Sequence, residues 1–229
     1  MNRAAILSAA LVGAACTGDV DPAWQLDHDR VITVRSTPPR IATGETAELD
    51  ALIGRKGRPP SEVEPDTAEV VSPAALSGVL GHPARWTVTA PADDQLAAGR
   101  SELGLDAGVS VPVRIRVTFA DTGEVAYKIV WLGEHADNPV IDPITVDGTD
   151  VVTASQLTVG QGVDVRLAVD FDDSYTINWL TSCGTMHDFD LARAYLRVEP
   201  EDPKSGTLGV VVRDALGGVA WQLWPITAE

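Results

Sequence analysis

VPVRIRVTFADTGEVAYKIVW, residues 111–131, decides the fold class of this chain. Val111, Val113, Ile115, Val117 and Phe119 alternate with Pro112, Arg114, Arg116 and Thr118. A short turn, Asp121-Thr122-Gly123, reverses the chain. Val125, Tyr127, Ile129 and Trp131 then alternate with Ala126, Lys128 and Val130. Side chains on a strand point to opposite faces in turn, so this pattern predicts a β-hairpin with one buried face. On the second strand the row Val125 to Trp131 is expected to face inward.

The same signature recurs on both sides. Upstream, Val31–Arg35 is rich in β-branched residues and ends at Pro38-Pro39, Thr46–Ile53 follows Gly44, and Arg85–Thr89 resumes a strand. Residues 54–83 hold many Gly and Pro and read as an irregular insert with one helical turn near Ala74–Leu76. Residues 92–103 suit a short helix. Downstream of Asp137-Asn138-Pro139 come inward rows at Val163–Val169, Tyr175–Trp179, Ala194–Val198, Leu208–Val212 and Val219–Leu223, with Gly217-Gly218 turning the last hairpin. Many short strands with little helical periodicity predict an all-β chain. Each half ends in a strand, a Gly turn and a strand carrying Trp. The expected organisation is therefore two tandem β-sandwiches, residues 30–136 and 139–229, the second able to fold alone. The strand order of 140–229, with Trp179 on its third main strand and a closing Val-Val-Arg213-Asp214 hairpin, resembles bacterial immunoglobulin-like domains. That resemblance extends to 30–136, apart from the 54–83 insert. It implies a module that binds, spaces or presents; a fold of this kind does not itself assign an activity.

The amino end carries a different message. Arg3 precedes an apolar stretch, Ala4–Val12, and the small residues Gly13-Ala14-Ala15 precede Cys16. A positive end, a short apolar segment and small residues before a cut make a secretory signal over residues 1–15. The junction resembles the lipobox of bacterial lipoproteins. The resemblance implies acyl chains on Cys16, an envelope location at the outer membrane (Thr17, not Asp, follows the Cys) and a tether over residues 16–29. Formal charge is −16, with 33 acidic and 17 basic residues. Such a balance disfavours nucleic acid, whose phosphates demand clustered Lys and Arg. Expected partners are the membrane, through the anchor, and other envelope proteins or polysaccharide.

Candidate chemistry is sparse. His28, His82, His135 and His187 are the only histidines, and no Gly-x-Ser-x-Gly elbow occurs. Cys183, His187 and Asp188 could pair a thiol with a base, but a buried Cys beside a surface His is the expectation, so no catalytic residue is assigned. For a metal, Ca²⁺ is the better fit to an acidic chain. Its weak candidates are Asp170, Asp172 and Asp173 in one loop, and Asp137 with Asn138 at the domain junction, a tripeptide similar to the linker of cadherin-type domains. Turn formation explains these Asx residues equally well, and no cofactor is expected. Six Trp offer an aromatic surface for sugars. Trp221 is expected in the core and Trp224, beside Pro225, at the surface. The chain thus reads as a non-enzymatic envelope lipoprotein acting as a binding, spacing or structural module, with a carbohydrate- or matrix-binding module using exposed aromatics, aided by Ca²⁺, as the alternative.

Overall fold

The computed structural model describes residues 22–152 and 155–229. The signal segment, Cys16 and the first part of the tether lie outside those residues. In the first half the strands are β1 (Arg30–Thr37), β2 (Arg40–Ile41), β3 (Thr46–Arg55), β4 (Arg58–Val63), β5 (Thr67–Ser72), β6 (Leu80–Gly81), β7 (Thr87–Thr89), β8 (Val111–Phe119) and β9 (Glu124–Leu132). A 3₁₀ helix, Ala74–Val79, follows β5, and the helix α1, Asp93–Leu103, precedes β8. The second half holds β10 (Ile144–Val146), β11 (Thr149–Val151), β12 (Leu157–Val159), β13 (Asp164–Ala168), β14 (Thr176–Thr181), β15 (Thr185–His187), β16 (Arg193–Arg197), β17 (Ser205–Arg213) and β18 (Val219–Ala228).

Each half is two sheets. The first pairs β1-β3-β7-β6, with β4 added to β3, against β2-β9-β8-β5; the second pairs β11-β10-β13-β16-β15 against β12-β18-β17-β14. In both, the opening strand runs antiparallel to the next long strand (β1 with β3, β10 with β13). The chain then crosses to the other sheet and lies parallel to the closing strand. Pro38 and Pro39, which have no N–H to donate, mark that crossing in the first half. This repeated order is the immunoglobulin-like one. Two apolar cores follow, one per sandwich, and Trp179 sits fully buried between the sheets of the second, its Nε1 donating to Leu191 O at 3.0 Å. Among the described residues no helix is long and apolar enough to cross a membrane.

Several expectations are corrected. The 54–83 stretch is not an irregular insert: β4, β5 and β6 lie within it, and β5 is a member of the β8–β9 sheet. Pro59 and Pro60 sit on β4, which is bonded only to β3. An edge strand can spare donors that a central strand cannot. The 111–131 hairpin forms, with helix α1 before it as expected, but the β9 row is reversed. A four-residue turn sets Phe119 opposite Glu124, which places Ile115 opposite Lys128 and Val113 opposite Val130. Directly opposed residues share a face, so Lys128, Val130 and Leu132 turn inward. Val125, Tyr127 and Ile129 are left 43%, 51% and 42% exposed. On β18 the rows are also exchanged. Trp224, Ile226 and Ala228 enter the second core, while Val219, Trp221 and Leu223 face the first sandwich. Val163 is exposed rather than inward.

Candidate functional site at the junction of the two units

A third apolar cluster lies between the sandwiches: Leu26, Leu52, Leu180, Val211, Val219 and Trp221, with Ile32 and Leu223 against it. It exists because β3, β14 and β17 carry apolar residues on both faces. Ala51-Leu52-Ile53 and Leu208–Val212 are buried continuously rather than alternately. A strand covered on both sides reads as an unbroken apolar run. Such runs are the signal in the sequence for this seam.

Polar groups close the seam at its rim. Trp221 Nε1 donates to Glu62 Oε1 at 2.7 Å, and the Arg35 guanidinium lies 3.7 Å from the centroid of the Trp221 ring. Arg35 is itself fixed by two bonds to the Asp50 carboxylate, at 3.0 and 2.6 Å. Arg213 donates to Ile32 O across the seam at 3.2 Å and to Asn178 Oδ1 at 2.6 Å. Asn138 reads both units with one amide: Nδ2 donates to Ser36 O at 2.9 Å and Oδ1 accepts from Val219 N at 2.8 Å. The β17–β18 turn reaches the first unit through Gly217, whose carbonyl accepts from Lys128 Nζ. Gly217 has φ +91°, and a Cβ there would meet Ile129 O at 3.3 Å and Trp131 Nε1 at 3.5 Å. Glycine is needed both for the turn and for this approach.

Residues 22–29, the described part of the expected tether, are packed into the junction. Leu26 is buried in the seam, and Trp24 rests on the second core. Leu26 N donates to Thr181 O at 2.8 Å and Thr181 N donates to Trp24 O at 2.9 Å, adding a short parallel strand to the edge of β14. Asp27 accepts from Gly57 N, and Asp29 accepts from Lys56 N at 3.2 Å.

Burial shapes the electrostatics. Lys128 is 5% exposed, and loss of hydration pushes its ammonium down to about 8. Asp214 and Asp50 oppose that shift, while Arg213 and Arg35 add to it. Burial also lowers Arg213. A cleft of about 400 Å³ opens beside Lys128, between β1 and β9, and is capped by the Asp214–Val219 turn.

The sequence candidates are not gathered here. Cys183 lies within the second core, its Sγ–H donating to Pro203 O, and burial, then Asp202, raise its thiol. His187 and Asp188 are exposed, whereas Met186 between Thr185 and His187 points inward. Thiol and imidazole therefore stand on opposite sides of a sheet. Asp172 is spent on a turn: Oδ1 accepts from Ser174 N at 2.8 Å and from the Ser174 hydroxyl, bonds that hold its carboxyl below the usual range. Asp170 borders a shallow pocket with Asp142, Asp150 and Arg193, and Asp173 is exposed. Asp137 faces His135 at 3.5 Å, and Asn138 is the junction amide described above. Among the described residues no three His, Cys, Asp or Glu side chains converge where a metal could be held. Of the six Trp, Trp179, Trp221 and Trp224 are buried and Trp24, Trp86 and Trp131 half-buried, so the expected exposed face of Trp224 is absent. Lys128, Arg213 and Arg35 were not singled out by the sequence. Only the four-residue hairpin turn, counted against the β8 row, could have marked Lys128 as inward.

No family model matches the chain, and a comparison with curated proteins finds no match. Among solved structures, similarity extends to the titin domains Z1Z2 in complex with telethonin (17% identity, 88% of this chain and 98% of that one, TM-score 0.25) and to tandem Ig repeats of Dlar (10%, 86% and 97%, TM-score 0.31). It extends also to a nucleoside hydrolase-related hypothetical protein from Saccharophagus degradans (18%, TM-score 0.31), where 41% of this chain spans 26% of that one. The fold assignment rests on the strand order above: two tandem immunoglobulin-like β-sandwiches, all-β apart from α1 and one 3₁₀ turn.

Proposed function

We propose that this chain is a lipid-anchored protein of the bacterial envelope, and that its tandem sandwiches form a non-enzymatic binding or spacing module. The carrying observation is the junction. Its apolar seam and its rim of bonds through Trp221, Asn138, Arg213 and Lys128 spend the chain's best-placed polar side chains on holding two domains in one relation. A fixed relation between two binding-type domains suits a part that sets distance or presents a surface. Anchoring through acyl chains on Cys16 rests on the Arg3–Cys16 pattern, and several chains bind a bilayer firmly where one does not. The test is fractionation in a bacterial host, with mass spectrometry of the amino terminus. Acylated Cys16 and a membrane-bound chain support the reading, with Cys16→Ser moving to the soluble fraction. An unmodified start at another residue refutes the anchor. Crosslinking of envelope partners, reduced in Trp221→Ala, supports the module reading, and unchanged yields refute the role of the fixed joint.

The carbohydrate alternative keeps one specific support. Tyr127 is exposed with Val125 and Ile129 beside it, and the Arg114 guanidinium lies 4.2 Å from its ring centroid. A glycan array separates the two readings.

A further inference from the structure

We propose that the cleft between the two units is a binding site for carboxylates with a compact apolar body, held through the ammonium of Lys128. Three observations lead there. First, Lys128 is nearly fully buried, yet its one hydrogen bond is to the Gly217 carbonyl, and it forms no ion pair among the described residues. A buried cation is ordinarily paired, because leaving it unpaired carries the full cost of lost hydration. An ammonium has three donors, so two are open to a ligand. Second, the carboxylate that acts most strongly on Lys128, Asp214, is already engaged in its own turn. Asp214 Oδ1 accepts from Leu216 N and from Gly218 N, both at 2.7 Å, and so shapes the turn, without an ion pair to the lysine. Third, the cleft beside Lys128 has the size of a small-ligand site and mixed walls. Val31, Val34, Ala126 and Ile129 are apolar, Tyr127 lies at the mouth, and Arg213 adds a second cation.

An incoming carboxylate would take the two open N–H groups of Lys128, while its apolar body displaced water from the walls. The charged groups around the site are Asp214 and Arg213 from the second unit and Asp50 and Arg35 from the first. Arg35 is paired with Asp50, and the formal charges of these four groups sum to zero, so with Lys128 the set carries one net positive charge. Since Gly217 and Asp214 belong to one sandwich and β1 and β9 to the other, the ligand would also bridge the joint.

The chain suits a direct test because it has only three lysines, Lys56, Lys128 and Lys204, and the other two are exposed. The full chain is titrated with phenylacetate, with hexanoate, and with an acetylated tripeptide ending in Ile. Each is matched by its neutral amide, and binding is followed by calorimetry and by the Lys128 signal in NMR. Saturable binding of the acids with amides at least about tenfold weaker supports the proposal, a factor of ten being 1.4 kcal/mol. Tighter binding of the tripeptide assigns the carboxylate to a polypeptide end, and tighter binding of the small acids assigns it to a free organic acid. Lys128→Met should weaken the acids at least about tenfold. In the unaltered chain the affinity should fall as pH rises above about 8, where the free ammonium loses its proton. Equal binding of acid and amide, affinity unchanged in Lys128→Met, or no saturation with any acid would overturn it. The acid–amide comparison needs no variant, so the test stands whether or not Lys128→Met folds.

Discussion

Replacing Trp221 by Ala tests whether the seam is a structural element in its own right. The side chain is 7% exposed, with neighbours from both sandwiches and from the 22–29 segment. Truncating a buried Trp costs about 3–5 kcal/mol through lost transfer energy and the cavity left behind. The Arg35 stack adds about 1 kcal/mol at this mostly buried site. The bond to Glu62 adds less than a buried one would, since that carboxylate is 58% exposed. A total near 4 kcal/mol is expected, and it falls on the joint rather than inside either core. Calorimetry should therefore show one cooperative transition in the parent chain and two in Trp221→Ala, with protease cleavage newly admitted near residues 133–140. Trp221→Phe keeps most of the packing but loses the donor to Glu62, and should cost about 1 kcal/mol. A loss below about 1 kcal/mol in Trp221→Ala, with a single transition retained, would show that the two units are held by something other than this seam.

Residues 139–229 alone should fold, with a β-type circular dichroism spectrum, but melt lower than in the full chain and self-associate in sedimentation, because Leu180, Val211, Val219 and Trp221 lose their cover; an isolated segment that stays monomeric with an unchanged midpoint argues against the shared cluster. Cys183 should label slowly with a thiol reagent in the native state and quickly in denaturant, since its raised thiol and its place in the core both disfavour the thiolate; fast native labelling would restore a nucleophile. Lys128 gives an unusual pH slope. Its folded ammonium titrates near 8 against 10.5 when exposed, so below pH 8 both states are charged and folding carries a penalty of about 3 kcal/mol. That penalty is relieved as pH rises from 8 to 10.5, where the unfolded state binds more protons. Lys128→Met should accordingly be the more stable protein at pH 7.5 in urea titrations, by about 2 kcal/mol after loss of the Gly217 bond, with the gap closing toward pH 10; a gap that widens with pH refutes this account.

The sequence made the sandwich legible wherever one face was apolar and the other polar. Val111–Phe119, Ala194–Val198 and Trp179 all lie as the period-two pattern requires. It was misleading wherever both faces were apolar. On β9, Val125, Tyr127 and Ile129 make a more apolar row than the one holding Lys128, and hydrophobicity suggested the wrong row; the count of turn residues fixes the register. On β18, Trp221 and Trp224 are both buried, one between sandwiches and one within, and no local pattern distinguishes those fates. Prolines hid β4, because a residue that breaks a central strand is tolerated at an edge, and Pro65 and Pro73 flank β5 and made it read as loop. Cys183 and His187, four apart in sequence, were parted by the strand that carries His187 outward. Lys128 escaped notice as a site residue because its hydrogen-bond partner, Gly217, lies in a turn near the far end of the chain.

The pairing of Trp24–Leu26 with Thr181 has a consequence for how the protein survives at high concentration. β14 ends its sheet, and a bare strand edge is a template on which another chain can add. The short parallel segment takes up both the N–H and the C=O of Thr181, and Asp27 and Asp29, bonded at their carboxylates to the backbone of the β3–β4 turn, hold it in place. The stretch that links the body to the amino end thus doubles as a guard against sheet-to-sheet aggregation. Proteolytic trimming before Arg30 would strip Trp24 from the second core and Leu26 from the seam, and leave the β14 edge open to another chain.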